Sequence, residues 1–192
     1  MSRFTHVALA SAFALSSATA LAAYQNAPLT AKGTIAGDGI SGSVTLREVP
    51  IRTGGADTQF PTGSLAVEIT VQVTGLKPGT HGIHLHAVGK CEAPGFTSAG
   101  GHFDPGPNGM MDPDMNHPFH MGDLPNLVAD AKGAATWKAT TTRVTLSAGP
   151  LSLFDDDGSA IIIHANPDQG VTAEAKAGLS GGPRLACGVI TK

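Results

Sequence analysis

This chain is expected to fold as an all-β domain, an antiparallel sandwich or barrel of short strands. Apolar and polar residues alternate in several short runs, which is typical of strands that turn one face toward a core. Charged residues make up only 14% of the chain, and its 25 glycines and 13 prolines supply enough turn positions to separate the runs. No stretch has the sustained period and the capping residues of a helix. Together these features predict the all-β class.

The first 22 residues are predicted to be a signal peptide rather than part of the fold. Arg3 supplies a weakly positive start, residues 7–15 form a short apolar run, and Ala20 and Ala22 give the small-x-small pattern of a cleavage site. Such a run is too short to span a bilayer. This interpretation predicts an exported protein, periplasmic or extracellular, with no membrane anchor and with its domain in residues 23–192. A buried N-terminal helix is the alternative.

The first predicted strands are separated by recognisable turns. Residues 29–35 and 42–46 flank Gly37-Asp38-Gly39, which predicts a hairpin. Residues 65–73 alternate apolar side chains with mainly polar ones, as a half-buried strand does. A Lys-Pro-Gly turn at 77–79 then leads into Gly82-Ile83-His84-Leu85-His86.

Further strands are predicted in the second half of the chain, for a total of about eight. They are 127–129, 135–139, 144–146, 160–164 and 185–190. Three segments are long for loops: 48–63, 87–124 and 165–183. The second of these contains most of the remaining histidines, so we expect it to be functional.

Charge and cysteine content limit the expected partners. Without Arg3, eleven lysines and arginines face fifteen aspartates and glutamates, and no basic patch interrupts this mild acidity. Nucleic acid is therefore not an expected partner. Two cysteines, Cys91 and Cys187, allow one intramolecular disulfide in an oxidising compartment, with free buried thiols as the alternative.

His84 and His86 lie two residues apart on a predicted strand, so their side chains should project from the same face. Their Cβ atoms would be about 6.5–7 Å apart, a span that two imidazoles can close around one metal ion. A solvated strand face that carries two histidines is the alternative. His81 should face the other way and make a structural hydrogen bond.

Other motifs follow in a fixed order along the chain. His102 lies in Gly101-His102-Phe103-Asp104-Pro105, His120 lies in His120-Met121-Gly122-Asp123-Leu124, and His164 follows Ile161-Ile162-Ile163. Arg184 and Cys187 come near the C-terminus. With His84, His86 and Cys91, this order resembles the copper–zinc superoxide dismutases, particularly the exported bacterial ones. The similarity runs from Leu29 to Ile190.

The resemblance implies an eight-stranded Greek-key sandwich or barrel of the immunoglobulin-like type, with long metal-binding loops. It assigns four copper ligands: His84, His86, His102 and His164. An all-imidazole set suits Cu(II). His102 would also bridge to a redox-inert zinc and carry a proton, and Arg184 would guide the superoxide anion. A structural ion pair or carbonyl contact is the alternative for Arg184.

The resemblance also implies a Cys91–Cys187 disulfide and a linking role for Asp168. Asp168 would bind neither metal but would connect histidines of the copper and zinc sides through hydrogen bonds. An aspartate that caps its own loop is the alternative.

The zinc side departs from the family pattern. That pattern places a first zinc histidine about midway between the bridging histidine and the second one, whereas residues 106–114 contain no histidine here. A closed zinc site prefers four ligands. We predict a site of His102, His117, His120 and Asp123. Alternatives to His117 are Asp112, Asp114, a water molecule or an empty site.

The predicted function is dismutation of superoxide to oxygen and hydrogen peroxide, by a monomer or a homodimer. Copper would cycle between Cu(II) and Cu(I), bridged through His102 to zinc. The alternative is a non-catalytic exported protein that binds or delivers copper, because a fold does not fix a function. The complete copper ligand set together with Arg184 favours the enzyme.

Overall fold

Nine β-strands and one short 3-10 turn at Thr97–Ala99 form the regular structure of the described residues, 27–51, 64–105, 120–170 and 179–192, in the computed structural model. The strands are β1 (Thr30–Gly37), β2 (Ile40–Pro50), β3 (Leu65–Thr74), β4 (Gly79–His81), β5 (Ile83–His86), β6 (Leu127–Ala129), β7 (Ala135–Thr141), β8 (Ala160–His164) and β9 (Arg184–Val189). The predicted signal peptide and the residues His117, Asp112 and Asp114 lie outside the described ranges.

All strand pairs are antiparallel, which confirms the predicted all-β class. Seven strands form one curled sheet in the order β5-β8-β9-β1-β2-β3-β7, and β4 pairs with β6. Neighbours such as β3 and β7, or β1 and β9, are distant in sequence, as in Greek-key connections. The β1–β2 hairpin closes through the two residues Asp38 and Gly39, as predicted.

Alternating side chains build the core. Val67, Ile69, Val71 and Val73 of β3 are each at most 3% exposed, and the polar residues between them face outward. Burial of each such side chain contributes about 1.5–3 kcal/mol. All five residues of β8 are buried, because this strand lies between β5 and β9 and is covered on both faces.

Two predicted boundaries were wrong. β2 continues to Pro50, where a loop was expected, because it pairs with β3 along its whole length. Residues 144–146 do not form a ladder strand, and only Thr145 makes an isolated parallel bridge, to Ser152. The side chains of Val144 and Leu146 are nevertheless buried. The alternating sequence pattern therefore predicted their burial correctly, but not the absence of strand pairing. β4 (Gly79–His81) was not predicted, and the described residues contain nine strands in all.

A disulfide between Cys91 and Cys187 fastens the loop after β5 to β9, which confirms the predicted pair. The two residues are separated by 96 positions, and their Cα atoms are 5.6 Å apart. A cross-link of this span stabilises the fold by about 4–5 kcal/mol in the chain-entropy model. No helix among the described residues is long and apolar enough to cross a membrane.

Candidate metal centre

The edge of β5 organises the candidate site. Leu85 points into the core and is fully buried, while His84 and His86 project from the opposite face. Two loop segments bind this edge through their backbones. The Leu85 N–H donates to Gly122 O at 2.9 Å, and the Phe103 N–H donates to Leu85 O at 2.8 Å. These bonds bring the neighbouring residues of the two loops, His102 and Asp123, beside the β5 histidines.

Gly122 permits this close approach. A Cβ atom at position 122 would lie 2.3 Å from the carbonyl oxygen of Leu85, which is closer than side-chain carbons come to backbone atoms. A residue with a side chain would therefore push the second loop away from β5. The Gly-Asp pair at 122–123 thus combines a backbone contact with a carboxylate directed at the site.

Four histidines converge at this edge. One ring nitrogen from each lies within 4.8 Å of the others: His84, His86, His102 and His164. The ring centroids of His84 and His102 are 4.0 Å apart, and those of His84 and His164 are 4.8 Å apart. The structure therefore brings together the four side chains that the sequence analysis assigned to copper.

Hydrogen bonds fix the orientation of three of these rings. His84 donates from Nε2 to Asp168 Oδ2 at 2.6 Å, His86 donates from Nδ1 to Gly100 O at 3.0 Å, and His164 donates from Nδ1 to Gly182 O at 2.9 Å. The opposite nitrogens, His84 Nδ1, His86 Nε2 and His164 Nε2, are buried and have no hydrogen-bond partner among the described residues.

Unpartnered buried nitrogens are costly unless a ligand satisfies them. Three lone pairs that converge beside a fourth imidazole are suited to a metal ion, and their other ring nitrogens have the hydrogen-bond partners that orient metal-binding histidines. The residues present therefore fit a copper ion.

Burial keeps these histidines neutral. Desolvation, with smaller contributions from neighbouring positive charge, lowers the pKa of His86 to about 2 and that of His164 to about 3. Desolvation also lowers the pKa of His84, although the hydrogen bond to Asp168 acts in the opposite direction. A neutral imidazole is the form that binds metal.

A second group of ligand atoms adjoins the first. Nitrogens of His102 and His120 and a carboxylate oxygen of Asp123 lie within 4.8 Å of one another. His102 donates from Nδ1 to Asp123 Oδ1 at 2.6 Å, and the His120 N–H donates to Asp123 Oδ2 at 2.9 Å. Burial alone would raise the pKa of Asp123, but the hydrogen bonds from His102 and His120, together with the positive charge of His102 and His84, lower it. The guanidinium of Arg143 donates to the Asp123 carbonyl oxygen.

Asp168 lies on the opposite side of His84. The hydrogen bond from His84 lowers the pKa of Asp168 against the opposing effect of burial. Its second oxygen, Oδ1, accepts the N–H of Gly170 at 2.7 Å. The structure thus shows the predicted contact with a copper-side histidine, and it also shows the turn-capping contact that the sequence analysis had given as the alternative.

Arg184 is held by main-chain oxygens rather than by a carboxylate. Its guanidinium donates to Phe96 O at 2.7 Å and to Gly100 O at 2.6 Å. Burial lowers the pKa of Arg184, yet an arginine keeps its charge at neutral pH. Gly100 O also accepts the hydrogen bond from His86, so one carbonyl connects the arginine to the histidine cluster.

His81 makes the structural hydrogen bonds that were predicted. Its Nδ1 lies 2.8 Å from His164 O, and its Nε2 lies 2.8 Å from Lys77 O. Four other contributors were missed by the sequence analysis: Gly100, Asn126, Arg143 and Gly182. Gly100 and Gly182 act through their carbonyl oxygens, while the side chains of Asn126 and Arg143 donate to the carbonyl oxygens of Asp168 and Asp123. Residue type and spacing give no signal for such contacts, because they depend on loop paths.

Comparison with known proteins agrees with this geometry. The family model "Copper/zinc superoxide dismutase (SODC)" matches residues 41–190. Superoxide dismutase (Cu-Zn) of Caulobacter vibrioides is 38% identical over 161 residues, which cover 81% of this chain and 81% of that protein. Extracellular superoxide dismutase (Cu-Zn) of Onchocerca volvulus is 35% identical over 171 residues, covering 80% and 79%. A solved SOD-like protein from Bacillus subtilis superposes with a TM-score of 0.61 at 28% identity, covering 82% of this chain and 95% of that one.

Proposed function

This chain belongs to the copper/zinc superoxide dismutase family, and we propose that it dismutates superoxide at the four-histidine centre on β5. The observation that carries this proposal is the set of three buried ring nitrogens without partners, directed at one another beside His102. In the reaction one superoxide loses an electron and becomes oxygen. A second superoxide gains that electron and two protons and becomes hydrogen peroxide.

Copper would be held by His84 Nδ1, His86 Nε2, His164 Nε2 and a nitrogen of His102. When bound there, copper supplies the one-electron oxidation and reduction that the two half-reactions require. The chain contributes ligands whose tautomers are already set by Asp168, Gly100 and Gly182. Ligands fixed in advance need little rearrangement when the metal binds.

His102 connects the two halves of the centre. Its Nδ1 faces Asp123, which leaves Nε2 as the atom directed toward the other three histidines. A proton held at Nε2 would be next to the place where peroxide forms. We therefore propose that Nε2 of His102 would bind copper in one half-reaction and hold a proton in the other, since its one lone pair cannot do both at once.

Arg184 provides the positive charge that attracts the anionic substrate. The guanidinium is fixed by two carbonyl oxygens, so its remaining N–H groups keep a constant position near His86. Its charge makes a small contribution to the lowered pKa of both His86 and His164, which supports a field that extends to the histidine cluster. In an acidic protein this local field guides superoxide better than the net charge would.

For the second metal we propose zinc, held by His102, His117, His120 and Asp123. The donor set of imidazole and carboxylate suits zinc, which is redox-inert and would hold and polarise His102. We expect His117→Ala to lose zinc, whereas Asp112→Ala and Asp114→Ala should retain it. Zinc stoichiometry of the purified variants tests this, and full occupancy in His117→Ala would show that another residue completes the site.

We also propose that the protein is exported to the periplasm or to the extracellular medium after removal of residues 1–22. The disulfide requires an oxidising compartment, and the Onchocerca relative is named as extracellular. The mass of the mature protein, measured after expression of the full chain, should correspond to a start at residue 23. A mass that includes residues 1–22 would contradict this.

The function itself is tested by metal content and activity measured on the same sample. We expect about one copper per chain by mass spectrometry and rapid removal of superoxide by the loaded protein. Copper binding without dismutation would instead identify a non-catalytic copper-binding or copper-delivery protein on the same fold.

A further inference from the structure

Asn126, just before β6, makes an unusual contact with the chain that carries Asp168. The Asn126 side-chain N–H donates to Asp168 O at 2.9 Å, and the Asp168 N–H donates to Asn126 Oδ1 at 2.9 Å. One amide side chain thus satisfies both main-chain groups of one residue, as a neighbouring strand would. Two bonds to the same peptide segment fix its rotation as well as its position.

We call these two hydrogen bonds the clamp, and Asn126, which makes them, is anchored in the barrel. The carbonyl oxygen of Asn126 accepts the indole N–H of Trp137 at 3.2 Å, and Trp137 is a buried residue of β7. Asp168 itself lies outside the strands, in the segment that follows β8. The side chain of Asn126 therefore connects the barrel to the Asp168 backbone, beside the main-chain bond from Gln169 N–H to Leu179 O.

One carboxylate oxygen of Asp168 is held by a hydrogen bond within its own loop, and the other faces His84. The Gly170 N–H donates to Oδ1, and Oδ2 accepts the His84 N–H. Because hydrogen bonds hold both the Asp168 backbone and Oδ1, the orientation of Oδ2 toward His84 is fixed. This holds the proton of His84 on Nε2, so that the lone pair at Nδ1 faces the other histidines.

We propose that Asn126 is a positioning residue, which acts through Asp168 to hold His84 in the tautomer that can bind copper. The connected residues are Trp137, Asn126, Asp168 and His84, and none of them is a proposed zinc ligand. The copper side is therefore oriented from the β6–β7 side of the barrel. The consequence for copper rests on the proposed function, whereas the orientation of His84 does not.

Proton and nitrogen NMR of the histidine rings in the metal-free protein tests the orientation directly. In the wild type we expect a strongly hydrogen-bonded proton on His84 Nε2. In Asn126→Ala this proton should exchange faster, and the ring should populate the other tautomer. Asn126→Asp, which keeps an acceptor for the Asp168 N–H but loses the donor to Asp168 O, should change the signal in the same direction if Asn126→Ala does not fold. Gln169→Ala, which changes an exposed neighbour, should leave it unchanged.

Copper affinity of the zinc-free protein is the second measurement. We expect a loss of roughly 10–100-fold in the Asn126 variants, the usual effect of removing a group that orients a metal ligand, and no loss in Gln169→Ala. A His84 signal that is unchanged in folded Asn126 variants would overturn the proposal, and so would a signal that changes equally in Gln169→Ala. If the tautomer shifts while copper affinity stays the same, the clamp stands and the copper role of His84 is refuted.

Discussion

The metal-free protein should lose stability as the pH falls from about 7 to about 5, because the unfolded chain binds more protons than the folded chain over this range. His164 allows the effect to be calculated. Its folded pKa is about 3, whereas its ordinary value is 6.5. Between these two values the unfolded state holds more protons than the folded state, so the free energy of unfolding rises with pH.

The magnitude follows from the two pKa values. At about pH 5 nearly every unfolded His164 is protonated and nearly every folded one is neutral, which costs the folded state about 2 kcal/mol relative to neutral pH. This free-energy difference depends on the pKa of His164 in the unfolded chain, and it hardly changes while the pKa in the folded chain stays well below about 5. Asp123 and Asp168 act in a different window, since their lowered pKa values contribute stability above about pH 4 that is lost only below it.

Urea unfolding of the metal-free wild type and of His164→Gln, each at about pH 7 and pH 5, isolates this contribution. We expect the difference between the two pH values to be smaller in the variant by about 2 kcal/mol. Between pH 7 and pH 8 neither protein should change much, which serves as the control. An equal pH difference in both proteins would refute the argument that His164 is buried in its neutral form.

Two further predictions concern the substrate and the disulfide. Arg184→Glu should lower kcat/KM sharply and invert part of its dependence on salt, because the guiding charge has changed sign. Pulse radiolysis at several ionic strengths measures this, and an unchanged rate at low salt would leave Arg184 a purely structural role. Cys91→Ser should lower the free energy of unfolding by about 4–5 kcal/mol, since it opens the loop of 96 residues. Denaturant unfolding under oxidising conditions should show the loss, and a midpoint equal to that of the wild type would contradict it.

Much of the fold could be predicted from the sequence because burial in a strand leaves a period of two. β3 shows this alternation, whereas β8 is an unbroken apolar run, as expected of a strand covered on both faces. The same alternation led to the wrong prediction of a strand at 144–146, where Val144 and Leu146 enter the core from a loop. Glu48 explains how that loop is held: its carboxylate accepts the Leu146 N–H at 2.7 Å, a contact 98 residues away in sequence that no local pattern reveals.

The candidate site, too, could be predicted only in part from the sequence. Histidine spacing on β5 predicted that His84 and His86 share a face, and the structure places them so. The contacts that orient the rings could not be predicted, because Gly100 and Gly182 act through carbonyl oxygens whose positions depend on loop paths. Asn126 belongs to the same class, since its partner is the backbone of a residue 42 positions away.

Activity of His164→Ala, measured together with its zinc content, tests the central claim most directly. His164 is a proposed copper ligand but is absent from the second group of ligand atoms, which consists of His102, His120 and Asp123. Its removal should therefore abolish dismutation while zinc content stays near that of the wild type. Full dismutase activity in His164→Ala would contradict the assignment of the four-histidine centre as the catalytic site.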